Sequence, residues 1–270
     1  MKALAAVSIR QYEKAVESLA DYTRTIELGA QILAREWQDE VAGGRFQARG
    51  GLGAVVIGSD QGMCGQFNEE ITAYTLASVE EQDANGEKPH VLALGRRVAV
   101  RLIDSGQPVD EIFAIPTSVA GITPLVQDVL MKIDEWGTQE GVTRVHIFFN
   151  RPQRAATYQP DHLHLLPLDL ERLRVVAQRP WPSPVLPTFS MDWQNLLSAL
   201  VRQYLFISVF RAVAESQASE NAARLASMQA AEKNIQEYLE ELTTLFHSQR
   251  QTSITAELLD IVSGFEVLSG

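Results

Sequence analysis

The residues best placed to do chemistry lie in a glycine-rich segment, GSDQGMCGQFN at positions 58–68. A predicted β-strand precedes it and a predicted helix follows it, and glycines at such a junction can let backbone amides bind a phosphate. However, the spacing is neither G-x-x-x-x-G-K-S/T nor G-x-G-x-x-G, and the segment has no Lys or Arg to hold phosphate charge. We therefore predict a structural turn without a bound cofactor. Its residues are Ser59, Asp60, Gly62, Cys64, Gly65 and Asn68.

Cys64 is the single cysteine of the 270-residue chain. Its thiolate could act as a nucleophile, but such a group needs an activating base, and no histidine is near it in the sequence. Small cysteines in tight turns are often structural, so we predict a structural role for Cys64 rather than a catalytic one. A single cysteine cannot form an internal disulfide, which indicates a reducing compartment.

Two histidines, His162 and His164, alternate on a predicted strand and so share one of its faces. That spacing could in principle ligate a metal. Only Asp161 and Asp169 lie near them, and no cysteine completes a ligand set. We therefore predict a solvated strand face rather than a metal site.

A second segment with chemically useful side chains lies near the C-terminus, RQTSITAE at positions 250–257. At helical spacing it has a hydrogen-bonding side next to an apolar ladder. The polar residues are Gln251, Thr255 and Glu257, and the ladder is Ile254, Leu258 and Ile261. This arrangement suits a surface that binds a partner protein, whereas a frayed terminus would not need so regular a ladder.

The middle of the chain contains the elements that would position the turn. Short apolar runs alternate with helical patterns, which predicts a Rossmann-like α/β domain with a largely parallel sheet. The predicted strands are Ala54–Gly58, His90–Leu94, Glu111–Ile115, Val145–Asn150 and Leu163–Leu168. The predicted helices are Asn68–Glu81, Arg96–Asp104 and Thr123–Trp136.

Long helices are predicted at both ends of the chain. The first has a heptad seam, formed by Ala5, Ile9, Tyr12, Val16, Leu19, Thr23, Ile26, Ala30, Leu33 and Trp37. An unbroken helix from Asp192 to Leu268 would span on the order of 115 Å, too long to bury its apolar stripe on one domain. We predict that the two helices pair as an antiparallel coiled coil; a single amphipathic N-terminal helix on a globular core is the alternative.

These elements predict four segments: an N-terminal coiled-coil helix at 1–45, the α/β domain at 50–178, a proline-rich linker at 179–190 and a C-terminal helix with a partner-binding tip at 191–270. The formal net charge of −11 argues against nucleic-acid binding. The sequence shows neither a signal peptide nor an apolar run that predicts membrane insertion. We expect a cytosolic protein that can still dock on a membrane complex.

Three ordered motifs resemble those of gamma subunits of the rotary F-type ATP synthase. SDQGMCGQFN at 59–68 is similar to the family's S-D-x-G-L-C-G-x-x-N, and SENAARLASMQAA at 219–231 to its S-E-x-x-A-R-M-x-A-M-x-x-A. The segment RQTSITAELLDIVSG at 250–264 is similar to R-Q-x-x-I-T-x-E-L-x-E-I-x-x-G. The opening MKALAA resembles the family's A-M-K-M-V-A-A. The resemblance covers both ends of the chain and the first α/β unit.

The resemblance implies a central stalk that turns inside a ring of alpha and beta subunits, on the cytoplasmic face of the bacterial inner membrane. Arg250, Gln251, Thr255 and Glu257 match positions that hydrogen-bond a loop of the beta subunit. The residues that match the tip held in an apolar sleeve are Ile254, Leu258, Ile261, Phe265 and Leu268. The α/β domain would contact the epsilon subunit and the ion-carrying membrane ring as a peripheral protein, without inserting into the membrane. The implied role is to couple ion translocation to ATP synthesis or hydrolysis, with no catalytic residue of its own.

Two departures from the family pattern stand out. Phe265, Glu266, Val267 and Leu268 replace the small alanines that the family usually has at the tip. Family members also carry several basic helical turns before the positions matched to Met1. Either the true start lies upstream, or this is a divergent form from an alternative operon with a shortened N-terminus.

A different class of function is the alternative: a free-standing α/β domain that binds or converts a small molecule, with the helices as dimerisation arms. It would require phosphate-binding or catalytic residues in the segment 58–68, and the sequence shows none there.

Overall fold

The computed structural model describes residues 2–36, 50–82, 88–153, 157–168, 175, 178, 180–185 and 192–269. Their elements follow in this order: α1 (Lys2–Glu36), β1 (Gly51–Ile57), α2 (Phe67–Gln82), β2 (His90–Leu94), α3 (Arg96–Asp104), β3 (Glu111–Phe113), a 3₁₀ turn (Val119–Gly121), α4 (Ile122–Gln139), β4 (Val142–Pro152), β5 (Tyr158–Leu166) and α5 (Trp193–Ser269). The chain divides into two compact units, Met1–Leu225 and Ala226–Gly270. Trp37, Asp169 and much of the predicted linker at 179–190 lie outside the described residues.

The five strands form one sheet in the order β3-β2-β1-β4-β5. Strands β1 to β4 run parallel to their neighbours, and β5 pairs antiparallel with β4. Parallel neighbours need crossover connections, and helices supply them here. The predicted α/β fold with a largely parallel sheet is confirmed.

The predicted bounds hold best in the first half of the sheet, where β2 and α3 begin and end at the predicted residues. The last two strands differ. β4 is longer than predicted, and β5 begins at Tyr158 and ends at Leu166 instead of spanning Leu163–Leu168. The reason is that β5 is an edge strand, where polar residues and a proline such as Pro160 are tolerated, so its apolar signal is weak.

Helices cover both faces of the sheet, because the side chains of β1 alternate between two apolar clusters. On one face, Ala54 and Val56 pack with α2 and α3. On the other face, Val55 and Ile57 pack with α4, α1 and the middle of α5. The sheet is therefore the central layer, and the middle of α5 belongs to the core of the first unit.

Helices α1 and α5 pair along the predicted heptad seam. Ala5, Tyr12 and Ile26 are buried, and the seam positions between them are half-buried. Tyr22 Oη donates a hydrogen bond to Gln203 Oε1 at 2.8 Å, and a Cβ placed on Gly29 would lie 3.0 Å from Leu200 Cδ2. Because the α1 residue numbers fall as the α5 numbers rise, the pairing is antiparallel, as predicted. The side chains of Leu33 and Trp37 lie outside the described residues.

The environment of α5 changes along its length. From Ile207 to Ala223 every residue except Arg211 is buried, whereas every residue from Gln229 to Gly264 is exposed. Among the described residues, the stretch Gln194–Gly264 contains a window that is long and apolar enough to cross a membrane, although no such run was expected from the sequence. A single such helix is weak support for a membrane span, because core helices of soluble proteins have the same composition.

Candidate functional site

The turn after β1 uses its polar side chains to hold itself together. Asn68 Oδ1 accepts the backbone N–H of Ser59 at 3.0 Å, and Asn68 Nδ2 donates to Ser59 Oγ at 2.8 Å. Met63 and Gly65 have φ values of 61°, the left-handed region that makes a tight turn possible. The turn is therefore closed by its own residues.

Asp60 connects this turn to the neighbouring strands. Its carboxylate accepts the backbone N–H of Arg96 at 2.9 Å and that of Ile115 at 2.7 Å. These two amides follow β2 and β3, and Asp60 itself follows β1. One side chain therefore connects the carboxyl ends of three parallel strands. In other parallel sheets this edge commonly binds ligands, but here a carboxylate of the chain occupies the amides.

Cys64 lies beneath the turn with 2% of its surface exposed. Burial raises the pKa of its thiol, so the protonated form, a poor nucleophile, is favoured. The side chain packs in a small apolar cluster with Phe67 and Ala223. The cysteine therefore joins the turn to α5, and the structural role assigned to the turn stays a prediction.

A polar junction that was not predicted from the sequence connects α5 to the end of β4. Ser219 Oγ donates to the backbone carbonyl of Asn150 at 2.9 Å, and Asn150 Nδ2 donates to the carbonyl of Phe67 at 3.0 Å. Glu215 lies 2.6 Å from Arg211 Nε and 3.5 Å from Arg151 Nε; the longer contact is an ion pair without hydrogen-bond geometry. The only sequence signal for this junction is that polar residues interrupt the apolar stripe of α5.

A charged pair lies on α5 next to the junction. Glu220 and Arg224 form an ion pair one helical turn apart, and Gln217 Nε2 donates to Glu220 Oε2 at 2.8 Å. Burial raises the pKa of Glu220 and the charge of Arg224 opposes this rise. The motif at 219–231 thus contributes buried side chains at its beginning, where it meets the sheet domain.

The predicted histidine pair is part of a larger group. His146 of β4 pairs with His164 of β5 across the sheet, and the ring centre of His146 is 4.8 Å from that of His164 and 5.7 Å from that of His162. His162 Nδ1 is 2.8 Å from Tyr74 Oη. Within the described ranges, no group of three His, Cys, Asp or Glu residues could hold a metal ion. His146 was not singled out from the sequence because it belongs to a buried apolar strand.

The predicted partner-binding residues all lie in the second unit, Ala226–Gly270. Of the apolar ladder, Ile254, Leu258 and Ile261 are 47%, 57% and 69% exposed. Thr255 Oγ1 donates to the backbone carbonyl of Gln251 at 2.8 Å, and the residues from Arg250 to Glu257 are exposed. The structure thus presents the polar and apolar sets together on one helix. The side chains of Phe265 and Leu268 lie outside the described residues.

Comparisons with known proteins agree with this geometry. A family profile described as ATP synthase matches residues 1–268. Similar curated proteins are named ATP synthase gamma chain: that of Nitrosomonas eutropha is 29% identical over 79% of this chain and 73% of its own length. The chain belongs to the ATP synthase gamma-chain family. The gamma chain of Nostoc punctiforme is 27% identical, covering 100% of this chain and 93% of that protein.

Solved structures with a similar fold are chains of mitochondrial ATP synthases. One is from the mitochondrial enzyme of Tetrahymena thermophila, with a TM-score of 0.60, 18% identity and coverage of 86% of this chain and 97% of that one. Another is from the mitochondrial enzyme of Euglena gracilis, with a TM-score of 0.57, 18% identity and coverage of 97% and 95%. At this identity the likeness shows the fold alone, namely an α/β domain with a long C-terminal helix.

Proposed function

We propose that this chain is the central-stalk rotor of an F-type ATP synthase, and that its rotation couples ion flow through a membrane ring to ATP synthesis or hydrolysis in a ring of alpha and beta subunits. The observation that carries the proposal is the exposed C-terminal unit. From Gln229 to Gly264 the helix buries no residue, although it carries a regular series of large apolar side chains. Monomeric soluble proteins rarely leave so long an apolar series uncovered.

The chemistry of the exposed unit indicates how a partner would bind it. A ring of subunits that encloses the helix would bury Ile254, Leu258 and Ile261 in an apolar sleeve, together with Phe265 and Leu268 further along. The polar set, Arg250, Gln251, Thr255 and Glu257, would hydrogen-bond a loop of the beta subunit. Within the part of the chain that the structure describes, neither Arg250 nor Glu257 forms an ion pair, so both charges are available to a partner.

The sheet domain would form the foot of the stalk, in contact with the epsilon subunit and the membrane ring, on the cytoplasmic side of the bacterial inner membrane. Turning the stalk presents different sides of one helix to three beta subunits. Because each side makes unequal contacts with the open and closed forms, rotation shifts the populations of those forms. The chain needs no catalytic residue of its own for this role.

The alternative, a free-standing small-molecule-binding domain, is not favoured. The backbone amides that could bind a ligand at this turn already have acceptors within the chain. Asp60 accepts the N–H groups of Arg96 and Ile115, and Asn68 bonds both the backbone N–H and the hydroxyl of Ser59.

Co-expression with the cognate alpha and beta subunits tests the proposal. We expect a purified complex whose ATPase activity depends on this chain. A monodisperse dimer of this chain with no affinity for alpha or beta would overturn the proposal and support the alternative.

A further inference from the structure

The middle of α5 contains a run of buried polar residues inside an otherwise apolar core. They are Glu215, Ser216, Gln217, Ser219, Glu220 and Asn221, each at most 8% exposed. Successive helical residues are about 100° apart around the axis, so this run points in every direction. Burial of polar side chains is unfavourable unless they find partners. Such a run in a core helix therefore indicates a requirement other than apolar packing.

Two of these residues connect the helix to the sheet. Ser219 Oγ lies 2.9 Å from the carbonyl of Asn150, where β4 nears its end, and 3.0 Å from the carbonyl of Glu215 on its own helix, so its one proton is shared between the sheet and the helix. The side chain of Asn150 in turn donates to the carbonyl of Phe67 at 3.0 Å, at the beginning of α2. One turn away on α5, Glu215 bonds Arg211 of the same helix at 2.6 Å and forms an ion pair with Arg151 of β4 at 3.5 Å. Two hydrogen bonds and one ion pair thus connect the helix, the end of β4 and the beginning of α2.

Directional contacts fix the rotation of a helix about its axis better than apolar packing does. The hydrophobic effect is not directional, so an apolar helix face tolerates small rotations about the helix axis. Hydrogen bonds weaken steeply when the donor angle changes, and rotation of α5 would take the buried Glu215 carboxylate away from Arg151, its cationic partner on β4. The Ser219 and Glu215 contacts therefore define one rotational setting of α5 against the sheet.

We propose that Ser219 and Glu215 are positioning residues that lock the rotation of α5 to the sheet domain, so that torque passes between the foot and the C-terminal unit. The inference rests on the proposed rotor function, because a lock against rotation matters only in a chain that is turned. Helix α5 continues from the lock to Ser269 without interruption. A loosened lock would let the helix slip against the foot while the alpha and beta ring still hydrolyses ATP.

The test uses the complete ATP synthase reconstituted in lipid vesicles, with ATP hydrolysis and ion uptake measured on the same sample. The variants are Ser219→Ala, Glu215→Gln and their combination, all of which keep the apolar contacts of α5. For the double variant we expect the number of ions taken up per ATP hydrolysed to fall about twofold or more, since each contact has a modest net strength. The single variants should show smaller losses of the same ratio.

Two matched substitutions serve as controls. Ser198→Ala removes a hydroxyl that donates to the carbonyl of Gln194, four residues earlier in the same helix, and Glu140→Gln neutralises an exposed carboxylate. Both should keep the wild-type ratio. A merely structural role for Ser219 and Glu215 would reduce the amount of assembled complex without changing ions per ATP.

The outcomes separate the two proposals. A wild-type ratio in the assembled single and double variants would overturn the lock while leaving the rotor function intact. If the double variant does not assemble, the single variants decide by the same ratio. If ATP hydrolysis by the wild-type complex did not depend on this chain, the rotor function itself would fail.

Discussion

The carboxylate of Asp60 accepts the backbone N–H of Ile115 at 2.7 Å, across 55 positions of sequence. Its other oxygen accepts the N–H of Arg96 at 2.9 Å, which makes Asp60 the side chain that joins the ends of β1, β2 and β3. Hydrogen bonds from amides to a charged acceptor are stronger than those between neutral groups. Leaving a partly buried amide without an acceptor costs free energy. The stability of the sheet edge should therefore depend on this residue.

For Asp60→Ala we expect the free energy of unfolding to fall by about 2–4 kcal/mol, since two charge-assisted bonds are lost together. Urea unfolding of the purified chain, followed by circular dichroism, measures it. Asp104→Ala is the matched control, because Asp104 is an exposed carboxylate at the end of α3 and should change stability by under about 0.5 kcal/mol. Equal effects of the two substitutions would contradict the role given to Asp60.

Gly58→Ala tests how closely α3 packs on the turn. A Cβ at Gly58 would lie 2.3 Å from Val98 Cβ and 2.7 Å from Asn68 Oδ1, so either the helix or the turn must move. We expect a loss of about 3 kcal/mol or more, or no soluble protein. The control is Gly137→Ala in α4, where a new Cβ would contact one atom at 3.8 Å. This substitution should stabilise the helix by up to about 1 kcal/mol, because alanine has the higher helix propensity. A neutral Gly58→Ala would show that the turn is not tightly packed.

The histidine group predicts a pH-dependent stability. The pKa of His146 is lowered from 6.5 to about 4, chiefly by burial and in addition by electrostatic interaction with His164, His162 and Arg144. Because the folded pKa lies below the unfolded one, the unfolded chain binds the proton first as pH falls. His146 therefore leaves stability intact above pH 6.5, and stability falls progressively as the pH drops toward 4, by about 3 kcal/mol in total.

His146→Phe removes this proton and keeps an aromatic ring beside Phe148, which stacks on His146 with ring centres 6.2 Å apart. We expect the urea midpoint of the wild type to fall more steeply between pH 6.5 and pH 4.5 than that of the variant. Carboxylates titrate in both proteins, so the difference between the two curves gives the contribution of His146. Parallel curves would mean that His146 is not protonated differently in the two states.

The sequence predicted those parts of the fold whose signal is local. Heptad spacing in α1 and short apolar runs such as His90–Leu94 define a buried face by themselves. The bounds of the edge strand β5 were predicted less accurately, because its polar residues obscure the alternation of apolar and polar positions that is typical of a strand. The junction of Ser219 with Asn150 could not be predicted, since it joins residues 69 positions apart and depends on how α5 lies against the sheet. His146 was missed for the same reason: its neighbours come from another strand.

The last prediction concerns the exposed apolar ladder, which we propose that alpha and beta subunits bury. Leu258 is 57% exposed, so Leu258→Asp should leave the stability of the isolated chain within about 0.5 kcal/mol of the wild type. In a complex with alpha and beta subunits the same charge would enter an apolar sleeve at a cost of a few kcal/mol. We expect weaker assembly or slower ATP hydrolysis, measured by co-purification and turnover. Leu258→Met, which keeps an apolar side chain of similar volume, should behave like the wild type. An unaffected complex with Leu258→Asp would mean that this position is not buried by a partner.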